Sequence, residues 1–400
     1  MPLFVAAHVI ARNTGQRTGS RTGDVSGANL QQQNMHTILV IGGYGFFGER
    51  ICNALAQTAG IRLLIGGRNA TRARAVAEGL GLQSSQGIAI DARATDLMQR
   101  FLKLGVDSVI HTAGPFQNQD YAVARAAIAA GANYIDLADG RDFVAGIEQL
   151  DTAARERRVF VTSGASSLPA LSSAVVDRYL SRFSRLDSIR HGIGSGARSP
   201  GLATMQGVFG YCGRPFCRLV EGHWQTTRGW LDLQRYPFPE PVGKRFLGSC
   251  DVPDLVLFPR RYPGVRTVTF HAGFASAPGH LFVWAASQLV RLGLLSSILP
   301  LAGPLHAISR WLEPFVSDKG AMFVSLEGLG LDGKPQKLDW HLVAAKNHGP
   351  HIPCGAAIAL AQKLARGEAL PHGAMPCVGL LTVEDYLAAL RRFDIHEMPA

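Results

Sequence analysis

Cysteine pairs at the spacing of a metal site are missing from this sequence of 400 residues. It contains six Cys and no Cys-x-x-Cys motif, and Cys212 and Cys217, five positions apart, have no second pair at ligand spacing. Disulfide-dependent secreted domains are far richer in cysteine, and structural zinc sites usually combine two pairs of ligands. We therefore predict neither a disulfide framework nor a bound metal.

Charged residues are also scarce. They make up 18% of the chain, against roughly 25% in typical domains, whereas hydrophobic residues reach 47%. This amount of apolar material excludes a disordered or fibrous chain. At roughly 150 residues per domain, the length predicts two or three domains.

Acidic residues are the scarcer of the two signs, with 30 Asp and Glu against 40 Lys and Arg and a net charge of +10. The arginines are scattered, and no basic run is interleaved with aromatic residues as in a nucleic-acid-binding stripe. We therefore predict no nucleic-acid partner. The excess positive charge favours small anionic ligands such as phosphates.

A hydrophobic run long enough to span a membrane is missing as well. Residues 281–312 are strongly apolar, but Arg291, Pro300 and Pro304 interrupt them, and a spanning helix needs about 20 apolar residues. We predict two short helices here and a cytoplasmic protein. Three roles for this segment remain open: core packing, a homodimer interface and a peripheral membrane contact.

Residues 1–34 contain no periodic apolar pattern after Ala11 and a single acidic residue, Asp24. A basic, acid-poor start is also typical of a transit peptide. We predict a disordered extension that is dispensable, with Met35 opening the fold.

From residue 37 onward, short apolar runs alternate with amphipathic stretches of helical length. Strand-like runs occupy residues 37–41, 61–65, 88–90, 108–112, 134–137 and 159–162. Helix-like stretches occupy residues 46–58, 70–80, 95–104, 121–130 and 143–155. This alternation predicts a parallel, doubly wound α/β sheet, the Rossmann arrangement. After residue 171 the regularity ends, and strands at 187–193 and 265–271 with a hairpin of 321–326 and 338–345 indicate a mixed or antiparallel sheet with a few helices.

The first strand runs into the segment Gly42-Gly43-Tyr44-Gly45-Phe46-Phe47-Gly48, and a helix follows. The segment fits G-x-G-x-x-G from Gly43 and, equally well, G-x-x-G-x-x-G from Gly42. In either register, glycines let the backbone approach a pyrophosphate at a helix N-terminus. The sequence therefore predicts a dinucleotide site at this turn.

The end of the second strand indicates which dinucleotide is bound. NAD-binding domains place an Asp or Glu about 20 residues beyond the glycines, where it binds the ribose 2′-hydroxyl. Here no acid occurs between Glu49 and Glu78, and Arg68-Asn69 takes that place. A guanidinium can pair with a 2′-phosphate, so we predict NADP (NADPH) as the cofactor.

The turns after later strands should line the substrate cleft, because ligands bind at the carboxyl ends of parallel strands. We expect the nicotinamide beside Ala113-Gly114-Pro115. His111 is the candidate proton donor, although a merely hydrogen-bonded role is the alternative. Tyr121 lies near the expected cleft, but Arg125 stands where a Tyr-x-x-x-Lys proton-relay pair would have its lysine. We therefore expect catalysis to depend mainly on positioning by the turn. Candidate substrate-binding residues are Asp139, Arg198 and Arg228. The alternatives are a loop-stabilising or ribose-binding role for Asp139 and solvated or packing roles for the two arginines.

Four motifs together resemble the saccharopine dehydrogenase-like oxidoreductases. They are the glycine turn, the Gly-Arg-Asn after strand two, the His-Thr-Ala-Gly-Pro-Phe segment of 111–116, and the Tyr-Ile-Asp-Leu of 134–137. The resemblance covers about residues 35–176, returns in 347–350, 373–376 and 379–382, and is loose over 200–330. One departure is Ala138-Asp139-Gly140, where the resemblance implies a small residue followed by Gly-Glu.

The resemblance implies a Rossmann domain over residues 35–175 and an inserted α+β domain over 176–345. A C-terminal helical segment, 346–400, would return to the first domain. It also implies an NADP-dependent oxidoreductase that transfers hydride to or from a small or lipophilic substrate. The alternative is a non-catalytic NADP-binding protein that docks on a membrane or a protein partner through 281–312. The predicted cofactor-binding residues are Gly42, Gly43, Tyr44, Gly45, Phe46, Phe47, Gly48, Arg68, Asn69, Thr112, Ala113, Gly114 and Pro115.

Overall fold

The computed structural model describes residues 35–117, 119–196, 201–312 and 316–398. The predicted extension 1–34 and the candidate substrate residue Arg198 lie outside these ranges. Two β-sheets form the framework of the described residues.

The first sheet has seven parallel strands in the order β3-β2-β1-β4-β5-β6-β15. Its strands are β1 (His36–Ile41), β2 (Ile61–Gly67), β3 (Gly87–Ala89), β4 (Ser108–His111), β5 (Asn133–Asp136), β6 (Phe160–Ser163) and β15 (Gly373–Pro376). The central strand is buried from Thr37 onward, with residues 38–41 no more than 1% exposed. Near-continuous apolar strands are typical of a parallel sheet covered on both faces, and the predicted Rossmann fold is confirmed.

Helices connect these strands and cover the sheet. They are α1 (Gly48–Leu55), α2 (Ala70–Gly79), α3 (Leu97–Leu104), α4 (Ala122–Ala130), α5 (Arg141–Ala145), α6 (Asp151–Glu156) and α7 (Ser172–Leu180). The helix predicted at 143–155 is divided, because a 3-10 segment (Gly146–Leu150) separates α5 from α6.

The second sheet is mixed. Its main path is β10-β11-β12-β7-β13-β14-β16, and β8 and β9 extend it beside β12. The strands are β7 (Phe183–Gly194), β8 (Pro215–Val220), β9 (His223–Arg228), β10 (Gln234–Pro237), β11 (Lys244–Ser249), β12 (Thr267–Gly273), β13 (Gly320–Gly330), β14 (Pro335–Ala344) and β16 (Ile395–Met398). β7, β12 and the β13–β14 hairpin match the prediction. β8 to β11 were missed because they are short, and β9 and β10 are largely exposed and polar, without an apolar face to signal them.

Helices of the second half are α8 (Leu202–Gly210), α9 (Asp254–Arg261), α10 (Ala277–Arg291), α11 (Ala302–Leu312), α12 (Gly355–Ala365) and α13 (Val383–Ala388). The apolar segment therefore forms two helices, α10 and α11, as predicted. Within the described ranges, no helix combines the length and apolar character needed to cross a bilayer.

The C-terminal segment contributes to both sheets. α12 packs against α1, and β15 pairs with β6 at the edge of the first sheet. β16 then pairs with β14 in the second sheet, whereas the sequence predicted a return to the first domain alone. The gap between the sheets is therefore bordered by residues from the beginning, middle and end of the chain.

Candidate cofactor and substrate site

The glycine turn between β1 and α1 is built on two glycines that tolerate no side chain. Gly42 has a φ of +85°, in the region that favours glycine. A Cβ built on Gly42 would lie 2.7 Å from Oγ1 of Thr112, and one built on Gly48 would overlap the carbonyl oxygen of Gly42. The tight turn is thus made by Gly42 and the close helix packing by Gly48, which favours the G-x-x-G-x-x-G register.

Gly45 is less crowded than Gly42 and Gly48. Apart from chain neighbours, a Cβ built there would have one described atom within 4 Å, the Gly42 carbonyl oxygen at 3.0 Å. The helix that follows, α1, has no side-chain cap at its N-terminus. An uncapped helix N-terminus beside a glycine is the setting that binds a pyrophosphate. This cradle fits the dinucleotide predicted from the sequence.

The end of β2 lies against the ring of Tyr44. A Cβ on Gly67 would overlap this ring, so the glycine is what allows the approach. The Tyr44 hydroxyl accepts a hydrogen bond from the backbone N–H of Asn69 at 2.9 Å. The Asn69 side chain in turn caps α2 by accepting from the backbone N–H of Arg72 at 3.0 Å. Tyr44 and Asn69 therefore fix the β2–α2 turn against the glycine turn.

Two exposed arginines flank this capped turn, Arg68 before it and Arg72 in the first turn of α2. The Arg72 guanidinium lies 4.8 Å from the centroid of the Tyr44 ring. With no acid between Glu49 and Glu78, the corner is cationic and fits a 2′-phosphate. Sequence reasoning singled out Arg68 by its distance from the glycines and missed Arg72, which the helix cap brings to the same corner.

The turn after β4 lies beside the glycine turn, since a Cβ built on Gly42 would be 3.1 Å from the backbone nitrogen of Ala113. Oγ1 of Thr112 donates to the carbonyl oxygen of Ile41 at 3.0 Å. The Gln119 side-chain amide donates to the carbonyl oxygens of Ala113 at 3.0 Å and Pro115 at 2.6 Å. A side-chain clamp thus holds the backbone of this turn beside the cradle.

His111 lies in the core of the first sheet and is 2% exposed. Its Nδ1 is 3.1 Å from the Tyr134 hydroxyl, and its ring packs edge-on against Phe116. Burial lowers the pKa of His111 to about 4, because the charged ring would be poorly solvated there. The ring is therefore neutral near pH 7 and lies away from the cavity described below. Its catalytic role stays a prediction that burial does not favour.

Asp136, at the end of β5, organises the neighbouring turns. Its Oδ1 accepts hydrogen bonds from the Ser163 hydroxyl at 2.8 Å and from the backbone N–H groups of Ala138 and Gly164, both at 2.9 Å. The carboxyl is 0% exposed, and its burial raises the pKa of Asp136 to about 6. It holds the loops that follow β5 and β6 and does not face the cavity.

A cavity of about 310 Å³ lies between the two sheets, within the range of small-molecule sites. Phe46 and Phe47 of the glycine turn form part of its wall, and Trp230, Phe270 and Met322 line it from the side of the second sheet. Aromatic and aliphatic side chains thus dominate the lining, and the cofactor cradle shares a wall with the cavity.

Asp139 and Gln117 are polar residues of the cavity wall that follow β5 and β4. The Gln117 amide donates to Oδ1 of Asp139 at 3.1 Å. The Asp139 carboxyl is open to the cavity yet surrounded by protein, which raises its pKa through poor solvation. Two other wall carboxylates have partners: Asp251 pairs with Arg141, and Asp318 accepts from the backbone N–H of Lys346 at 3.0 Å. The lining residues of the described chain include no Lys, Arg or His.

Arg228, another predicted substrate anchor, is not among the residues that line this cavity. Arg228 is half-buried at the end of β9 and donates to the carbonyl oxygen of Gly213 at 3.0 Å, a contact that supports a packing role. Arg198 lies outside the described ranges. Across those ranges, no three His, Cys, Asp or Glu residues are grouped as a metal would require.

Residues 38–175 match the family model described as the saccharopine dehydrogenase NADP binding domain. Among solved structures, saccharopine dehydrogenase (L-Glu forming) from Saccharomyces cerevisiae is similar, with a TM-score of 0.64 and 12% identity. This match covers 91% of this chain and 100% of the yeast protein. An amine dehydrogenase from Mycobacterium smegmatis is also similar, with a TM-score of 0.47, 12% identity and coverage of 88% and 96%. No curated protein matches the chain in sequence.

At 12% identity the likeness to the yeast enzyme shows a shared two-domain fold. The family match goes further for the first sheet, because it spans the glycine turn, the β2–α2 corner and the turn after β4. Residues 38–175 therefore form a saccharopine dehydrogenase-like NADP-binding domain, which confirms the resemblance predicted from the sequence.

Proposed function

We propose that the protein is an NADPH-dependent oxidoreductase that acts on an uncharged, mainly apolar substrate. One observation carries this proposal: Phe46 and Phe47 belong both to the glycine turn and to the wall of the cavity. A dinucleotide whose pyrophosphate rests on the turn therefore extends along a surface that borders the cavity.

The chain's own residues would hold the cofactor at three places. The Gly45 backbone and the N-terminus of α1 take the pyrophosphate, Arg68 and Arg72 pair with the 2′-phosphate, and the turn from Thr112 to Pro115 supports the nicotinamide. When bound, NADPH supplies a hydride, and the oxidised form accepts one. The protein contributes chiefly by positioning, since the reacting atoms must be held in near-attack geometry.

The cavity sets the substrate class. Its described walls are mainly apolar and aromatic, and the charged groups among the described lining residues are the carboxylates of Asp139, Asp251 and Asp318. A substrate bearing carboxylates would need cationic partners, which the described lining residues do not supply. We assign Asp139 and Gln117 to the polar group of the substrate. A protonated Asp139 can donate the proton that accompanies hydride addition to a C=O or C=N bond, and becomes the carboxylate.

The non-catalytic alternative is not favoured, because the matched family domain and the fold both belong to dehydrogenases. A homodimer and a cytoplasmic location stay predictions, as does the absence of a metal and of nucleic acid.

The test has two steps. NADPH and NADH are first titrated against the protein by following the fluorescence of the reduced nicotinamide. NADPH oxidation is then followed with apolar aldehydes, ketones, imines and enoyl compounds, each paired with an analogue that carries a carboxylate. We expect tighter binding of NADPH and turnover of the apolar members only. Preference for the carboxylated analogues would contradict the substrate class, and NADPH binding without turnover of any compound would contradict the enzymatic function.

A further inference from the structure

Exposed apolar side chains are concentrated in one stretch of the chain. Of the sixteen large hydrophobic residues that are exposed in the described chain, ten lie between Leu281 and Trp311. Leu292 and Leu294, in the turn after α10, are 67% and 70% exposed, and Ile308 on α11 is 52% exposed. Single exposed leucines are common on protein surfaces, but a concentration of this kind marks an interaction site. We call the exposed side chains of residues 281–311 the apolar face.

The apolar face contains positive charge and no negative charge. Arg291 ends α10 and Arg310 lies near the end of α11, and both are exposed. Between Ala277 and Leu312 there is no Asp or Glu. Leucine and aromatic residues accompanied by arginine are typical of helices that lie in the headgroup region of an anionic bilayer.

A second copy of the chain fits this charge pattern less well. A twofold dimer interface presents the same surface on both partners. The arginines of one copy would then face a surface that has no acid to pair with them. An anionic lipid surface supplies both the apolar environment and the negative charge.

The apolar face is also connected to the cavity by direct packing. α11 packs against α8, and Val208 of α8 lines the cavity. Gly201, which precedes α8, lies against Phe46 of the glycine turn, since a Cβ built on it would be 3.0 Å from the Phe46 Cβ. Leu202 at the start of α8 is itself 41% exposed. One helix therefore separates the apolar face from the apolar cavity.

We propose that the apolar face seats the protein on an anionic lipid surface, with α10 and α11 lying in the headgroup region. This contact would place the cavity next to a source of apolar substrates. The proposal goes beyond the oxidoreductase function and does not depend on it, because attachment to lipid can be measured without cofactor or turnover.

The test is co-sedimentation of the full chain with vesicles of phosphatidylcholine, alone or mixed with phosphatidylserine. We expect the protein to sediment with the mixed vesicles and to be released by salt. The triple variant Leu292→Ser, Leu294→Ser, Ile308→Ser should lower the partition coefficient roughly tenfold or more, because apolar area is no longer buried. Arg291→Gln with Arg310→Gln should lower binding to the mixed vesicles and abolish its dependence on phosphatidylserine.

The matched control is Leu102→Ser with Leu331→Ser, since these leucines are 58% and 75% exposed but lie outside the apolar face. It should bind vesicles as the wild type does. An unchanged circular dichroism spectrum and melting temperature in every variant show that each one is folded. Equal vesicle binding by the wild type and the triple variant would overturn the proposal. So would a lipid-free dimer that the triple variant dissociates, because the apolar face would then belong to a second copy.

Discussion

The side chain of Tyr44 joins the two halves of the cofactor site, because its hydroxyl accepts a hydrogen bond from the backbone N–H of Asn69 at 2.9 Å. Tyr44 belongs to the glycine turn, and Asn69 caps α2. In the first turn of that helix, the guanidinium of Arg72 lies over the Tyr44 ring. The residues that would cradle the pyrophosphate and those that would pair with the 2′-phosphate are thus held in a fixed relation before any cofactor binds.

Arg68→Ala should weaken NADPH binding by about 1.5–3 kcal/mol, the scale of a charge-assisted hydrogen bond. Arg72→Ala should weaken it as well, since its guanidinium lies at the same corner. NADH affinity should barely change in either variant, because NADH carries no 2′-phosphate. Titration calorimetry with both cofactors gives the comparison.

The matched control for the arginines is Arg157→Ala, an exposed arginine just after α6, which should leave both affinities unchanged. An equal loss of NADPH and NADH affinity in Arg68→Ala would mean that Arg68 supports the loop and does not bind the phosphate.

Gly45→Val and Gly48→Ala should fail in different ways. A Cβ on Gly45 would lie 3.0 Å from the Gly42 carbonyl oxygen and within 4 Å of no other described atom beyond its chain neighbours, so Gly45→Val should lower the melting temperature less than Gly48→Ala does. Its side chain should block the pyrophosphate and abolish binding of both cofactors. The Cβ of Gly48→Ala would overlap the Gly42 carbonyl oxygen, so this variant should melt at a lower temperature. Calorimetric melting and cofactor titration separate the two effects. Retention of NADPH binding by Gly45→Val would place the pyrophosphate elsewhere.

His111→Asn should reduce single-turnover hydride transfer about tenfold or less, below the roughly 10²–10⁴ of an essential general acid. The reason is that His111 is buried and neutral, and acts by packing beneath the turn that follows β4. A loss near a thousandfold with unchanged NADPH affinity would instead make His111 the proton donor.

The same variant should also change how stability depends on pH. Because the pKa of His111 falls to about 4 in the folded protein, the unfolded chain takes up a proton below about pH 6.5 that the folded protein does not. The histidine therefore lowers the free energy of unfolding as the pH falls from about 6.5 toward 4.

Asp136, with its pKa raised to about 6, makes the free energy of unfolding rise over part of the same pH range. The informative quantity is therefore the difference in free energy of unfolding between His111→Asn and the wild type. Between about pH 7 and pH 5, urea unfolding should show His111→Asn gaining about 2 kcal/mol relative to the wild type. A difference that does not vary with pH would show that the ring is not held neutral.

Asp139→Asn should lower turnover by about a hundredfold in the reducing direction with NADPH affinity unchanged, if Asp139 donates the proton. The donor must be protonated, so the wild-type rate should fall as pH rises through the pKa of Asp139. The surrounding protein solvates the carboxylate poorly and raises that pKa, so the fall in rate should occur at a higher pH than for an ordinary carboxyl. This fall in rate with rising pH should disappear in Asp139→Asn.

Asp318→Asn is the control, because this carboxylate also lines the cavity but accepts a hydrogen bond from the Lys346 backbone. The same loss in both variants would point to a general effect on the cavity.

The sequence by itself determined the Rossmann sheet and the glycine turn at which a cofactor is expected. The alternation of apolar runs and helical stretches is a local property, since side chains repeat every two residues in a strand and every 3.6 residues in a helix. The glycine turn and Arg68 are likewise recognised over a span of some 20 residues, because strand, turn and helix N-terminus are adjacent in the chain. The apolar segment 281–312 was correctly predicted as two helices for the same reason.

The tertiary structure decided which residues that are distant in the chain contact one another. Only packing against the Gly42 carbonyl shows why Gly48 must be glycine, and only the Asn69 cap brings Arg72 to the ring of Tyr44. His111 is placed in the core by its contacts with Tyr134 and Phe116, which its position at a strand end does not reveal. The cavity joins Phe46 near the start of the chain to Pro353 near its end. Its apolar character is a property of the space between two sheets, which no local pattern of residues encodes.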